Sequence, residues 1–599
     1  MVSRKKSLIT TSIQDTWDFE SPTLMLGNWC NTFNNRHLVK NLKENSILEY
    51  HWNDPEKVLN DYSYLNEFAD KILLKLIDNL NHIHQVNFSK TYWKIILSNW
   101  LFTFVHIIYD RWKTIEKAFK EFDIEKTKRI KINLEDVIPQ SIENFTDLVH
   151  QDKWNHFIFC EILEKNFDKE FKFEDIKELK NDDYSRFNKN RITFNKKILL
   201  DFYKLFRSTY SKIFKDDDYF IIESYLGKWN EFLLNLKLKN FPITISPGLD
   251  LFVNPDLDLR KKISIALNTN NEFEDFVIKI IPKLIPCSFL ENYTEVKNIV
   301  KKSHWPKNPK VIFTSHAINT KTISSFYIAE KKEQGAFLIH GQHGGGYGQC
   351  KFHWYEKFEK EISDKFLTWG WSKESDKKNI PFGILKSISN LENLRAQKEE
   401  KKKLLLVIRP KGKYFATALD SKIRGTQILD YHLDCIKMAN SLNKKIRDED
   451  LVVRLHERKY GWFEKEMWKE EIPNVTIDEG YQPILEKINK SKLVIYTYNS
   501  TGYLELMAAN LPVLLYWSNK DNPVDLETEK FYQGLKDVKI FHENKESIAK
   551  HLEKEWNNID KWWNSNEVQD IRVKFCEKYA KLNENKLENL KKLIKNSKT

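Results

Sequence analysis

Residues 492–517 read KLVIYTYNSTGYLELMAANLPVLLYW, and this stretch decides the fold. The runs KLVIYTY and PVLLYW are apolar, β-branched and aromatic, so each predicts a buried strand. Between them, the polar NST suits a helix N-cap, and GYLELMAAN predicts a short helix. A strand, a helix and a second strand make a βαβ unit, whose crossover predicts two parallel strands.

The first turn of this helix offers a place for an anion. Asn499, Ser500 and Thr501 put polar side chains and backbone N–H groups at a helix N-terminus, where the dipole favours negative charge. Glu505 lies one turn later, on the same face as Thr501. A phosphate on the N-terminus and a ribose on the carboxylate would make a nucleotide-sugar site at the carboxyl edge of a parallel sheet. The alternative is an ordinary capped helix with a solvated Glu505.

Composition excludes several classes of protein. The net charge of the 599-residue chain is +12, but both signs are interspersed and no RNA- or DNA-binding motif is present, so we expect no nucleic-acid partner. The 6 cysteines are scattered without a CxxC pair, which argues against a disulfide framework and a structural zinc site. The first residues lack the apolar core of a signal peptide, and the run Ile95–Tyr109 is too short to span a bilayer. We therefore expect a cytoplasmic protein.

Alternating strands and helices on both sides of the charged segment Glu392–Lys403 predict doubly wound α/β domains. Short strands at Leu8–Ser12 and Leu24–Trp29 predict that a sheet begins near the N-terminus. The chain from Pro55 to about Leu236 is predicted to be mostly helical and includes a helix over 192–214. Residues 564–599 are predicted to form one long, lysine-rich helix. We expect a GT-B-like pair of Rossmann-like domains facing a cleft: 1–395 with a helical insertion at about 55–240 on the acceptor side, 396–545 binding the nucleotide-sugar, and C-terminal helices over 546–599.

The helix predicted over 91–122 is apolar almost all round in its first half, so we expect it to be central. Asp110 and Arg111 are adjacent in it and cannot share one helix face. We therefore expect one of the two to face inward.

The loop HGQHGGGYG at 340–348 follows a predicted strand. Its glycines let the backbone approach a phosphate or sugar closely, and His340 and His343 can exchange a proton or donate to an anion. His353 could join them around a metal, but no carboxylate or cysteine stands at a usual ligand spacing, so we expect no metal. The candidate residues of this loop are His340, His343, Gly344, Gly345, Gly346, Tyr347 and Gly348.

Two basic strand ends complete the candidate site. Arg454 and His456 follow DLVV and can bind phosphate oxygens, although a sheet-edge ion pair of the arginine with Glu457 or Asp448 is the alternative. Arg409 opens the turn RPKGK, which suits a diphosphate or an acidic acceptor, with a solvated basic turn as the alternative. All these residues fall at predicted carboxyl ends of strands, where open α/β sheets bind ligands.

The sequence resembles a bacterial transferase family encoded among surface-polysaccharide and lipopolysaccharide gene clusters. The resemblance runs nearly end to end, through LITTSIQDTW, HWNDPEKVLNDYSYLNE, IFTSHAI, QHGGGYG and YNSTGYLELMAANLP. More remotely, the second half is similar to capsule-polysaccharide and CDP-glycerol polymer transferases of the GT-B type. In those, a histidine in an HG loop, a basic–histidine strand end and a Ser/Thr turn line the cleft. The matching residues are His340 or His343, His456, Ser500 and Thr501. RLHER lacks the proline that often follows that histidine in the relatives.

The resemblance implies a glycosyltransferase of surface-glycan assembly that needs neither a metal nor a cofactor beyond its nucleotide-sugar substrate. We expect Arg409, Arg454 and His456 to hold the donor phosphates together with the Asn499–Thr501 turn. Glu505 is expected to bind the ribose. His343, with His340 as second choice, is expected to act as base or to stabilise charge.

Several alternatives stay open at this point. The donor could be CMP- or CDP-linked, carrying a nonulosonic acid, a Kdo-like sugar or a polyol phosphate. The chain could also be a non-catalytic protein of polysaccharide assembly. The acceptor is expected to be a glycan or a lipid-linked glycan. A lysine-rich C-terminus predicts either peripheral contact with the inner face of an anionic membrane or a solvated tail. Its lysines are Lys586, Lys591, Lys592, Lys595 and Lys598.

Overall fold

The computed structural model describes residues 5–165, 170–176, 218–240, 246–249, 251–373, 376–396, 401–518 and 522–597. Within them, the strands form three sheets, and all neighbouring strands pair in parallel. The strands are β1 Lys6–Ile9, β2 Pro22–Met25, β3 Lys43–Ile47, β4 Ile124–Ile130, β5 Lys172–Ile176, β6 Tyr219–Ile222, β7 Val311–Thr314, β8 Phe337–Gly341, β9 Lys365–Thr368, β10 Asn379–Pro381, β11 Lys403–Val407, β12 Leu451–Arg454, β13 Thr476–Asp478, β14 Ser491–Tyr496, β15 Val513–Tyr516 and β16 Phe541–His542.

The α-helices of the same residues surround the sheets. They are α1 Arg36–Val39, α2 Pro55–Ile83, α3 Lys90–Glu121, α4 Leu134–Val137, α5 Ile142–Leu148, α6 Asp152–Leu163, α7 Lys228–Leu238, α8 Leu257–Lys261, α9 Glu272–Leu284, α10 Tyr293–Lys302, α11 Ala317–Thr320, α12 Thr322–Glu333, α13 Trp354–Ile362, α14 Ser389–Ala396, α15 Gln427–Asn440, α16 Glu464–Glu471, α17 Ile484–Asn489, α18 Thr501–Ala508, α19 Leu526–Asp537, α20 Lys545–Glu555, α21 Ile559–Trp563, α22 Asn566–Tyr579 and α23 Lys586–Asn596.

The first sheet has the order β3-β2-β1-β4-β5, and the second has the sequential order β10-β9-β8-β7-β6. Helix α3 joins them, because it contacts α2 and α6 beside the first sheet and α12 beside the second. It begins where the side chain of Ser89 accepts a hydrogen bond from the backbone N–H of Tyr92. Residues of every face are buried along its first half, which confirms the predicted central helix.

The third sheet has the order β13-β12-β11-β14-β15-β16. Relative to its own first strand this is 3-2-1-4-5-6, the order of Rossmann dinucleotide-binding sheets. The chain direction of the crossovers reverses between β11 and β14, which are neighbours in the sheet. A crevice therefore opens at the carboxyl ends of these two strands, where such folds bind their ligands.

The loop that follows β11 packs away from its own sheet. Its residues Tyr414, Phe415 and Leu419 are buried in the same apolar core as Trp29 and Trp52 of the first sheet's region. Three aromatic or aliphatic side chains of this size each contribute about 1.5–3 kcal/mol on burial. The third sheet is thus fixed to the first by a shared core.

Asp110 and Arg111 of α3 are both buried and form an ion pair with each other. One of the two was expected to face inward, and the structure shows that both do. The pair is stable in the core because its remaining hydrogen-bonding groups also have partners. Tyr50 donates to Asp110 at 2.6 Å, and Arg111 donates to the carbonyl of Phe415 at 2.8 Å and to Asn155.

The predicted α/β class of parallel sheets is confirmed, and the structure adds a third sheet that the sequence did not separate. The region 55–240 holds the predicted long helices but also contains β4, β5 and β6. The helix predicted over 192–214 lies outside the described residues. The long C-terminal helix predicted over 564–599 is wrong in detail, because α22 ends before residue 580 and α23 begins at residue 586. The domain boundaries near 395 and 545 stay predictions.

The membrane question has one structural answer. Among the described residues, no helix combines the length and the apolar character needed to cross a bilayer.

Candidate active site between the second and third sheets

A cavity of about 570 Å³ lies between the second and third sheets. Small-molecule sites occupy about 300–1,000 Å³, so its size suits a nucleotide or a sugar. It is open at the carboxyl ends of β8, β11, β12 and β14, where the sequence placed the candidate residues. Its walls are His343, Gly344, Gly345, Tyr347, His353, Tyr355, Val407, Ile408, Pro410, Lys422, Arg454, Leu455, His456, Ile484, Tyr496, Tyr498, Asn499, Ser500, Thr501 and Gly502.

The glycine loop of the second sheet touches the N-terminus of α18 in the third. The backbone N–H of Gly345 donates to the hydroxyl of Thr501 at 3.0 Å. A Cβ at residue 345 would lie 2.4 Å from the carbonyl oxygen of Ser500, so glycine is required for this approach. Ser500 is the N-cap of α18 and makes no capping bond with its side chain. Its hydroxyl and the first N–H groups of α18 are therefore available at the cavity.

Asn499 holds this contact together. Its amide donates to the side-chain oxygen of Gln349 at 3.1 Å. The same oxygen accepts from Tyr503 at 3.1 Å and from Tyr532 at 3.0 Å. Three donors on one buried acceptor fix the end of the glycine loop against α18. The structure thus shows Asn499 positioning the glycine loop, whereas its predicted contact with the nucleotide-sugar stays a prediction.

The two histidines of the loop share a buried carboxylate. Glu359, on α13, lies 3.5 Å from Nδ1 of His340 and 3.7 Å from Nδ1 of His343. Tyr347 donates to Glu359 at 3.0 Å, and Asn319 donates at 2.5 Å. Burial raises the pKa of Glu359 well above its usual value. The loop is therefore backed by a carboxyl group that readily holds a proton.

His343 and His340 occupy different places in this arrangement. The side chain of His343 is 25% exposed and lines the cavity, whereas His340, the fourth residue of β8, is fully buried behind it. Burial and the neighbouring His316 lower the pKa of His343 to about 3. Burial and His343 likewise lower the pKa of His340. Both imidazoles are neutral near pH 7, and His343 is the one that can accept a proton from a ligand.

A basic cluster, defined as Arg409, Lys411, Lys422 and Asp420, lies beside the cavity. Burial and Arg409 lower the pKa of Lys411 to about 8. Although burial acts to raise it, the pKa of Asp420 is held below its usual value by Lys422, Lys411 and Arg409. Nη1 of Arg409 is buried without a hydrogen-bond partner, and Lys422 lines the cavity. Three cations around one carboxylate leave an excess of positive charge that a phosphate would neutralise.

The second basic strand end is more engaged than the sequence suggested. Arg454 lines the cavity but forms an ion pair with Asp478, which is neither of the carboxylates weighed as its partner. Its other terminal nitrogen donates to the carbonyl of Gln482 at 2.8 Å. His456 is an exposed wall residue whose Nδ1 accepts from the backbone N–H of Arg458 at 3.0 Å. Burial and Arg454 lower its pKa.

Glu505 lies outside the set of residues that line the cavity. Its carboxylate is mostly buried and binds Lys386 at 2.9 Å. Burial raises the pKa of Glu505, and Lys386 opposes that shift. A ribose contact would have to displace or share this ion pair, so the predicted role of Glu505 stays a prediction.

Sequence reasoning missed two parts of the site. Lys422 and Asp420 lie in the long loop between β11 and α15, where no motif or periodicity marks them. Glu359 lies on an amphipathic helix. Its spacing from the aromatic residues of that helix is ordinary, so the spacing alone does not mark it as a site residue. A charged residue on the apolar face of such a helix was the one available signal.

Residues 6–594 match the family model described as the LIC12162 family transferase. The chain belongs to this transferase family. The match covers nearly the whole chain and confirms the transferase resemblance drawn from the motifs. No curated protein matched the sequence. Among the described residues, no group of three or more histidine, cysteine or acidic side chains is placed to hold a metal ion.

Solved structures similar to this chain include three proteins at low identity. The wall teichoic acid polymerase TagF is 11% identical, with 50% of this chain and 79% of that chain covered and a TM-score of 0.28. WaaG, a glycosyltransferase involved in lipopolysaccharide biosynthesis, is 14% identical, with 63% and 99% covered and a TM-score of 0.27. A UDP-GlcNAc 2-epimerase from Neisseria meningitidis is 13% identical, with 52% and 89% covered and a TM-score of 0.29.

Proposed function

We propose that this transferase is a glycosyltransferase of surface-glycan assembly that uses a nucleotide-activated sugar. One observation carries the proposal. An excess of positive charge, carried by buried Arg409 and the partly buried Lys411 and Lys422, meets a helix N-terminus at the crevice of a sheet with the Rossmann strand order. Both features favour the phosphates of a nucleotide donor.

The basic cluster and α18 would divide the work of holding the donor. Arg409 and Lys422 would neutralise the phosphate oxygens, with Ser500 and the first N–H groups of α18 donating from the other side. Cations supply the charge stabilisation that a metal ion would otherwise provide, so the proposed reaction needs no metal. Apolar and aromatic wall residues, Ile484 and Tyr498 among them, are suited to the nucleobase.

His343 would act as the general base. It would take the proton of the acceptor hydroxyl while that oxygen forms its bond to the sugar carbon and the bond from that carbon to the phosphate oxygen breaks. The negative charge released on the phosphate would remain beside Arg409 and Lys422. Glu359 and Tyr347 would orient the imidazoles from behind.

A thermal-shift screen against UDP, GDP, dTDP, CDP and CMP tests the proposal. At a nucleotide concentration about a hundredfold above its dissociation constant, binding stabilises a protein by about 2.7 kcal/mol, which is a measurable shift. We expect one nucleotide to raise the melting temperature of the wild type and of Lys592→Gln, a control at an exposed lysine. Arg409→Gln and Lys422→Gln should lose most of that shift.

The nucleotide that responds also separates the alternatives. A response to CDP or CMP alone would assign a CMP- or CDP-linked donor. Loss of the shift in Glu505→Ala would support the predicted ribose contact. If no nucleotide shifts the wild type, the donor proposal fails and the non-catalytic assembly role gains support. That role also requires His343→Ala to leave the cellular glycan unchanged.

A further inference from the structure

A second cavity, of about 350 Å³, lies between the first and third sheets. It is separate from the cavity of about 570 Å³ between the second and third sheets, which we call the donor cavity. We call the second cavity the acceptor cavity, after the role proposed for it below. Its volume falls within the range of small-molecule sites. Hydroxyl, amide and aromatic side chains make up most of its walls. They are Ser12, Gln14, Thr32, Asn34, Asn35, His150, Gln151, Asp152, Lys413, Arg458, Lys459, Tyr460, Gly461 and Phe463.

The position of this cavity follows from the topology of the first sheet. Its order β3-β2-β1-β4-β5 reverses between β1 and β4, as the third sheet reverses between β11 and β14. Ser12 and Gln14 lie just beyond the carboxyl end of β1, and Thr32 to Asn35 follow β2. The cavity thus occupies the place at which an open α/β sheet takes its ligand.

The charges around the acceptor cavity are compensated. Lys413 binds Asp152 at 2.9 Å, Arg458 binds Asp147 at 3.1 Å, and Lys459 binds Glu479 at 3.2 Å. Burial and Arg458 lower the pKa of His150 to about 3, so its imidazole is neutral. Each lining cation is therefore ion-paired, and Glu479 is shared with Lys465, which lies outside the cavity wall. The donor cavity differs, because there the cations outnumber the carboxylate.

The acceptor cavity offers hydrogen-bonding groups, and its lining cations are all ion-paired. Nδ1 of His150 and Nε2 of Gln151 are buried without a hydrogen-bond partner. Two nearby groups at its mouth, Asn34 and Gln14, are exposed polar amides. Phe463 is 38% exposed and adds an apolar ring face. Hydroxyl-rich rings with apolar faces, which are sugars, match this mixture of donors, acceptors and aromatic surface.

The two cavities share walls from two loops of the third sheet. In the loop after β11, Pro410 lines the donor cavity and Lys413 lines the acceptor cavity. In the loop after β12, His456 lines the donor cavity and Arg458 lines the acceptor cavity. A ligand in one cavity therefore contacts loops that also shape the other.

We propose that the acceptor cavity binds a neutral sugar unit of the acceptor glycan, away from the reacting hydroxyl. The acceptor role depends on the proposed glycosyl transfer, whereas sugar binding can be measured without it. Contacts to such a remote unit would position the acceptor and raise its affinity.

Saturation-transfer NMR with the full chain tests this assignment. The probes are glucose, galactose, mannose and N-acetylglucosamine, with glucuronic acid and glucose 1-phosphate as charged counterparts. We expect transfer to at least one neutral sugar and a weaker signal from the charged counterparts. Asn34→Trp would fill the mouth and raise the apparent Kd at least tenfold, whereas Asn557→Trp, at an exposed position outside both cavities, would leave it unchanged.

The outcomes separate this inference from the donor proposal. A melting curve and the nucleotide-induced shift of Asn34→Trp show whether that variant is folded. If it is misfolded, Gln14→Ala replaces it, and we expect that variant to raise the apparent Kd for the sugar at least threefold. Four results would overturn the assignment. They are a saturation-transfer signal that is unchanged in the folded variants, a stronger signal for the charged counterparts, displacement of the sugar by the nucleotide, and no signal for any sugar. If no nucleotide shifts the melting temperature but the saturation-transfer signal of a neutral sugar is intact, only the donor proposal is refuted.

Discussion

Gly345 is a point of close backbone contact between the second and third sheets at the donor cavity. Alanine there would place a methyl group 2.4 Å from the carbonyl oxygen of Ser500, and the nearest atoms all belong to the backbone of Ser500 and Thr501, which leaves little room to adjust. We expect Gly345→Ala to push the glycine loop off α18 and to raise the nucleotide Kd at least tenfold. The measurement is nucleotide-induced thermal shift.

Gly534 provides the matched glycine control. It lies within α19, and a Cβ there would make ordinary contacts with Ile571 at 3.4 Å. Because alanine favours helix over glycine, Gly534→Ala should stabilise the protein by about 0.5–1 kcal/mol and leave the nucleotide shift intact. Equal nucleotide shifts in Gly345→Ala and wild type would show that the close approach is dispensable.

Glu359 gives the site a pH dependence whose sign is fixed by its environment. Burial raises its pKa in the folded state, so the folded state holds the proton more tightly than the unfolded chain. The stability from this group is fully present below the unfolded pKa of about 4.3 and is lost as pH rises through the folded value. We expect the melting temperature of wild type to fall, relative to Glu359→Gln, by an amount equivalent to about 1.4 kcal/mol per pH unit in that window.

Melting curves at pH 5, 6.5 and 8 measure this trend. Glu361→Gln on the same helix is the control, because its side chain is 39% exposed and contacts Lys94. It should follow the wild-type trend. A constant difference between wild type and Glu359→Gln across the three pH values would contradict the raised pKa.

Helix α23 shows how an element predicted as a charged tail can serve as structure. Leu590 and Ile594 are fully buried against the second sheet, and Lys586 donates to the carbonyls of Leu385 and Lys386. Deleting the chain from Lys586 would remove both aliphatic side chains and expose the apolar surface of the second sheet that they cover. We expect a loss of about 3–6 kcal/mol in the free energy of unfolding, measured by chemical denaturation. An unchanged unfolding midpoint would show that the helix adds no packing energy.

The predicted membrane contact therefore needs a charge reversal instead of a deletion. Lys592 and Lys595 are exposed on α23. At about 1 kcal/mol for each lysine near an anionic surface, we expect Lys592→Glu/Lys595→Glu to lower binding to phosphatidylserine vesicles at least tenfold. Lys550→Glu/Lys561→Glu, of equal charge change at exposed positions, is the control. Equal vesicle binding of both variants and wild type would refute the contact.

The elements that sequence predicts best are those with a local signal. β14, α18 and β15 lie where the opening stretch placed them, because β-branched runs and an N-cap are written in consecutive residues. The first sheet was not separated from the second, since β4 and β5 are polar on their exposed sides and stand next to long helices. The site was half predicted for the same reason. The helix N-terminus and the glycine loop are local motifs, whereas Glu359 and Lys422 join them only through tertiary packing.

At the scale of the whole molecule, one buried ion pair links the first and third sheets. Nζ of Lys413 lies 2.9 Å from Asp152 and 2.7 Å from the hydroxyl of Ser12. Removing one partner leaves the other charge buried, so we expect Lys413→Met or Asp152→Asn to cost about 3–5 kcal/mol. The double variant should cost less than the sum of the two, as measured by chemical denaturation.

The pair of Arg36 and Glu470 also joins the regions of the first and third sheets, but it is exposed. Its removal by Arg36→Met should change stability little, because water screens exposed charges.

Additive effects of Lys413→Met and Asp152→Asn would mean that the buried charges do not interact.

The shared core around Phe415 has a practical consequence for cutting the gene. In a fragment that starts at residue 396, the side chains of Tyr414, Phe415 and Leu419 would be exposed to solvent. The complementary fragment would have a cavity where these side chains pack. Each piece expressed alone should aggregate, although the cut falls in the charged segment Glu392–Lys403. Co-expressed, the two should rescue each other, since the side chains of one are the missing interior of the other.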